Sequence, residues 1–181
     1  MQINVQPIEG LYLVELNSAE DSRGSFTRVF CSNELKNVMN NENIAQINIS
    51  KNNQKGLIRG IHYQKKPNAE VKLINCIKGK IYDVVVDLRI SSKTFLQWRS
   101  YELSQDDNKM LIIPKGCAHG FQTLTENSNL LYFHSEFYSP DQEEGINYND
   151  PIIKIKWPLP IREISNRDKE FKFLNNNFKG I

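Results

Sequence analysis

The sequence predicts an all-β protein, a sandwich or barrel of short strands with two short peripheral helices. Three observations carry that reading. Runs of five to eight residues rich in β-branched and aromatic side chains recur along the chain, several of them alternating apolar and polar. Turn residues (glycine, proline, asparagine, aspartate and serine) separate those runs. Only the stretches after Ser32 and after Ser165 carry helix-start chemistry.

Taken in order, Leu11 to Leu16 reads as a strand, and Asp21-Ser22-Arg23-Gly24 supplies a turn. Ser25 to Phe30 alternates, with Phe26, Arg28 and Phe30 on one face. A guanidinium there either snorkels out of an apolar surface or lines a pocket. Ser32 or Asn33 is placed to cap a short helix carrying Leu35, Val38 and Met39. Ile44 to Ser50 alternates again, with Gln46, Asn48 and Ser50 opposite Ile47 and Ile49. An all-polar strand face is either solvent-exposed or lines a polar cavity, and exposure is the simpler expectation.

Lys55 to Gln64 then combines two glycines, Arg59 and His62 within one apolar strand pattern. Strict alternation sets Arg59 and His62 on opposite faces, unless Gly60 marks a bulge. Val71 to Ile77 places Lys72, Ile74 and Cys76 together, so Lys72 stands among apolar neighbours unless it reaches water from the strand start. Lys78-Gly79-Lys80 is a tight turn. Ile81 to Leu88 is the clearest strand, with Asp83 and Asp87 set among valines. Leu96 to Leu103, Met110 to Ile113 and Leu130 to His134 are further strands. Ile112 to Phe121 repeats the pattern of apolar strand, turn, glycine and histidine, now at His119. Ser165-Asn166-Arg167-Asp168 has capping-box spacing, which makes Asp168 a cap unless a site recruits it. The polar tail from Lys172 to Ile181 is expected to be loosely held.

A length of 181 residues points to one domain spanning 1–181. A net charge of +2 is too small to argue for nucleic acid. No apolar run approaches the roughly 20 residues of a membrane span, and the N-terminus lacks a signal-peptide pattern. Three scattered cysteines, Cys31, Cys76 and Cys117, give neither a disulfide framework nor a CxxC metal site, which fits a cytoplasmic protein.

One family collects these motifs. The chain carries Asp21-x-Arg23-Gly24-x-Phe26, Gln46-x-Asn48-x-Ser50 and Lys55-Gly56-x-x-Arg59-Gly60-x-His62-Tyr63-Gln64. It then carries Asp83-Val84-x-Val86-Asp87-Leu88-Arg89 and Ile113-Pro114-x-Gly116-x-Ala118-His119-Gly120-Phe121. Glu144-Gly145-Ile146, Asp150-Pro151 and Trp157-Pro158 follow. In this order and spacing the set resembles the dTDP-4-dehydrorhamnose 3,5-epimerase family, from about Gly10 to Asp168.

The resemblance implies a cupin-type jelly roll, a homodimer, and a cofactor-independent reaction on a nucleotide-diphosphate 4-keto sugar of surface polysaccharide synthesis. It implies that His62 is the base, Asp168 its partner, Lys72 the stabiliser of the enolate oxygen and Tyr132 the opposite-face acid. Arg23, Arg59, Gln46, Asn48 and His119 would contact nucleotide, diphosphate or sugar, and Tyr138 would flank the ring. Arg28 and Ile47 stand where the family usually has glutamate and aspartate. The Arg28 position lies near the nucleobase in that family. A guanidinium only donates, which suits the O6 and N7 acceptors of guanine better than thymine N3–H. The expected substrate is therefore GDP-linked, a 4-keto hexose or heptose, with dTDP-4-dehydrorhamnose as the alternative.

A single-site C3 or C5 epimerase needs the same base and is not separable by sequence. Related ketoisomerases carry a second histidine where Gln64 stands. A metal-dependent cupin would want a His-x-His pair, which His62, His119 and His134 do not form, so no metal ligand and no cofactor is assigned. A non-catalytic binder would be expected to lack His62 or Tyr132. His134 is given no role beyond that of an ordinary strand residue.

Overall fold

A computed structural model describes the whole chain, Met1–Ile181. Its elements in order are β1 (Gln2–Val5), β2 (Tyr12–Glu15), β3 (Ser18–Asp21), β4 (Gly24–Thr27), α1 (Ser32–Leu35), β5 (Gln46–Asn52), β6 (Leu57–Gln64), β7 (Lys72–Lys78) and β8 (Lys80–Asp87). They continue as β9 (Trp98–Ser104), β10 (Lys109–Ile113), β11 (Cys117–Thr123), β12 (Ser128–His134), β13 (Glu143–Gly145), β14 (Glu163–Ile164) and α2 (Asn166–Glu170).

Two sheets face each other. One runs β1-β2-β10-β7-β12-β5, the other β13-β6-β11-β8-β9, with β14 parallel to β6 at its other end. A separate hairpin pairs β3 with β4. Between the sheets lies an apolar core of Ile74, Cys76 and Leu130 from the first and Ile81, Val85 and Phe121 from the second. Each sheet is also covered outside. Helix α1 and the turn after it bring Leu35 and Met39 onto Leu73, Ile112 and Phe133. The C-terminal segment brings Trp157, Leu174 and Phe178 onto Val84, Val86 and Leu88. Burial on both faces is why β8 reads as a continuous apolar run rather than a clean alternation.

The structure corrects three expectations. The N-cap of α1 is Cys31, with no side-chain cap bond, because the chain enters extended at that residue rather than at Ser32 or Asn33. The tail is docked rather than loose: Leu174 N–H donates to Asp150 Oδ2 at 2.6 Å, and Ile181 N–H to Leu88 O at 2.9 Å. Strand β5 is inverted from the simple reading, since Ile47 lies exposed on a sheet edge while Gln46, Asn48 and Ser50 line a cavity, with the exposed Ile49 at its mouth. The polar lining of a cavity outweighs the preference for apolar side chains inside.

Candidate active site

The strand register places the site. His119 pairs with His62, yet Phe121 pairs with Arg59, so β6 spends one more residue than β11 between those points. That bulge, at Gly60-Ile61, breaks the alternation and turns Arg59 and His62 to the same side. Gly60 has φ +117°, and a Cβ there would meet Gly120 Cα at 2.5 Å and His119 O at 2.8 Å. Only glycine fits both the dihedral and the gap.

The result is a cavity of about 440 Å³ between the sheets. From β6 and β11 come Arg59, His62, His119 and Phe121; from β5, β7 and β12 come Gln46, Asn48, Ile49, Ser50, Lys72, Tyr132 and His134. Glu70, Tyr138 and Glu143 complete the rim.

His62 is held by α2. Its Nε2 lies 2.7 Å from Asp168 Oδ1, and the other Asp168 oxygen accepts from Gly60 N–H at 3.1 Å. Burial favours a protonated Asp168, but His62, Gly60 N–H and Ser165 outweigh it and hold the carboxyl below its usual range. An ionised carboxylate only accepts, so Nε2 carries the proton and Nδ1 is the free lone pair. Nδ1 stands 4.0 Å from Glu143 Oε1, and the Phe171 ring packs edge-on to the imidazole. The capping box is half present: Ser165 Oγ accepts from Asp168 N–H at 3.0 Å, while the Asp168 carboxylate is directed to the site.

His119 is anchored similarly, Nε2 to Asp83 Oδ2 at 2.8 Å. Asp83 is fully buried and its Oδ1 has no partner. Across the cavity, Tyr132 presents its ring to the edge of His119, and its hydroxyl makes no hydrogen bond to protein. Burial, and then the charge of Asp83, raise the Tyr132 phenol well above its ordinary value despite Arg59. It is therefore a neutral O–H at physiological pH.

Eight of the expected residues meet here: His62, Lys72, Tyr132, Gln46, Asn48, Arg59, His119 and Tyr138; Asp168 sits behind His62. Arg23 and Arg28 lie outside the cavity. Arg23 is bound to Asp21 on the β3–β4 turn, and Arg28 to Glu34 at 2.7 Å beside α1. Residues without a sequence signal also appear. Glu70 bridges Lys72 Nζ (3.2 Å) and His134 Nδ1 (2.7 Å), and His134 stacks on Tyr132 with 13° between the rings. Glu143 binds the Tyr138 hydroxyl at 2.9 Å and pairs with Arg167. The one available hint was parity, since His134 is two residues beyond Tyr132. No cluster of three or more His, Cys, Asp or Glu side chains is arranged to hold a metal ion, and no helix is long and apolar enough to cross a membrane.

Two packed β-sheets around a polar cavity match the structures of cupin-type sugar epimerases. A family model described as dTDP-4-dehydrorhamnose 3,5-epimerase matches residues 5–176, and the chain belongs to that family. A Shigella flexneri dTDP-4-dehydrorhamnose 3,5-epimerase is 39% identical over 149 residues, covering 82% of each chain. The Bacillus anthracis enzyme of the same name, solved with TDP and PPi bound, superposes with TM-score 0.90 at 38% identity, covering 96% of this chain and 100% of its own. ChmJ, a 3'-monoepimerase from Streptomyces bikiniensis solved with dTDP-quinovose, superposes with TM-score 0.87 at 31% identity, covering 94% of this chain and 86% of its own. The protein is thus a sugar epimerase, an isomerase of nucleotide-linked sugars.

Proposed function

We propose that the chain epimerises C3 and C5 of a dTDP-linked 4-keto-6-deoxyhexose without a cofactor. The supporting observation is the placement of His62 and Tyr132 on opposite walls of one cavity, with Lys72 beside the phenol wall. The C4 ketone acidifies the neighbouring C–H bonds, because the electron pair left behind delocalises onto O4. His62 Nδ1 takes the proton from one face. The Lys72 ammonium meets the enolate oxygen. The neutral Tyr132 hydroxyl returns a proton from the other face, inverting the carbon, and solvent resets both groups. Gln46, Asn48, Arg59, His119 and Tyr138 bind the remainder of the substrate.

A guanine nucleotide rested on Arg28. The relatives are named for dTDP sugars, which makes the dTDP-linked substrate the better-supported choice. Turnover should be compared on matched dTDP- and GDP-linked 4-keto sugars in heavy water. The expected result is a dTDP preference, with solvent deuterium at both C3 and C5. A GDP preference would reinstate guanine, and label at one carbon would make the chain a single-site epimerase.

A further inference from the structure

We propose that His134, held by Glu70, is a second proton donor on the Tyr132 wall and serves the carbon that Tyr132 does not. This rests on the epimerase reading above. C3 and C5 lie on either side of C4, and each needs a proton from the face opposite His62. One fixed phenol hydroxyl cannot align with both carbons unless the sugar shifts.

The wall holds another donor. In register, β12 sits between β5 and β7, so that Asn48, Tyr132 and Ile74 form one cross-strand row and Gln46, His134 and Lys72 the next. His134 therefore stands directly beside the ammonium assigned to O4, one row from the phenol. Its ring lies flat against Tyr132, with centroids 5.7 Å apart. Glu70 accepts from His134 Nδ1 through one oxygen and from Lys72 Nζ through the other. Burial pushes the Glu70 carboxyl up, but His134 and Lys72 outweigh it and hold it below its usual range. That carboxylate fixes the ring through Nδ1, and Nε2 makes no protein hydrogen bond on a cavity-lining residue.

The step balances. His62 breaks the C–H bond and keeps the proton, and the electron pair enters the enolate. The pair then takes the proton from His134 Nε2–H, forming the new C–H bond and leaving neutral imidazole. His62 releases its proton to solvent, and His134 takes one up.

The test is the configuration of the product from a dTDP-linked 4-keto-6-deoxyhexose, read from proton coupling constants. Wild type is expected to invert two carbons. His134→Phe keeps the flat stack but has no donor. It is expected to invert one carbon at near wild-type rate and the other at least about tenfold more slowly. Retained inversion at one carbon also reports a folded protein. Glu70→Gln should slow the same carbon, which keeps the assignment open to refutation if His134→Phe does not fold. Two carbons inverted at wild-type rates by His134→Phe, or both lost together, overturns the assignment. Wild type that inverts a single carbon overturns it too, but leaves the epimerase reading standing; wild type that inverts neither ends both.

Discussion

The two walls of the cavity hold their functional groups in opposite ways. On the β6–β11 wall each imidazole has a buried carboxylate to itself, from another element: Asp168 of α2 behind His62, and Asp83 of β8 behind His119. On the β5–β12–β7 wall the groups hold one another, with Glu70 shared by Lys72 and His134 and Tyr132 left with a free hydroxyl. At His62 the Asp168 partner suits accepting a proton, because the ionised carboxylate stabilises the positive charge that forms. The second arrangement suits giving one, because burial and Asp83 keep the phenol protonated.

Removing the base should separate the walls most sharply. His62→Ala is expected to cost about a thousandfold or more in turnover and to stop solvent deuterium entering the sugar. Tyr132→Phe should abolish inversion at its carbon yet still allow deuterium exchange on the His62 face. Nuclear magnetic resonance of the recovered substrate distinguishes them, and identical exchange in both variants would erase the distinction. Asp168→Asn comes next, at about a hundredfold in kcat with KM little changed, since it disturbs the tautomer rather than the binding surface. Equal loss in kcat and KM would make Asp168 a general prop of the fold.

Two smaller effects concern stability. Gly60→Ala forces a side chain between β6 and β11 at positive φ and should cost at least about 2 kcal/mol, read by denaturant unfolding. A cost under half that would mean that β6 and β11 part easily. Asp87 lies on β8 beyond Asp83, but its carboxylate serves only Arg89, Ser92 and Thr94. Burial would raise it, but those bonds prevail and bring it down to about 2. A carboxyl depressed on folding stabilises above its unfolded value and loses that contribution as pH falls toward the folded one. Roughly 2 kcal/mol should therefore disappear between about pH 4 and pH 2. Thermal melts of wild type and Asp87→Asn over that range check it, and parallel curves would refute it.

The strands were legible because period-two patterns and turn residues act over a few neighbours. Residues inside motifs, such as His62 and Lys72, could be named as candidates for the same reason. Glu70 and Glu143 could not, since a lone glutamate outside a recognisable pattern reads as surface. The Ser165-x-x-Asp168 spacing was ambiguous because capping and orienting a histidine need the same side chain.

By itself the sequence determined the β architecture, the strands that carry His62 and His119, and the family. Only the tertiary structure decided that Arg59 and His62 share a face, that the amide face of β5 turns inward, and that Asp168 meets His62 across 106 residues of chain. The physical reason is range. Alternation and turn chemistry are set by adjacent residues, whereas a bulge takes its meaning from the partner strand, and a hydrogen bond between distant residues exists only once the sheets and α2 have packed.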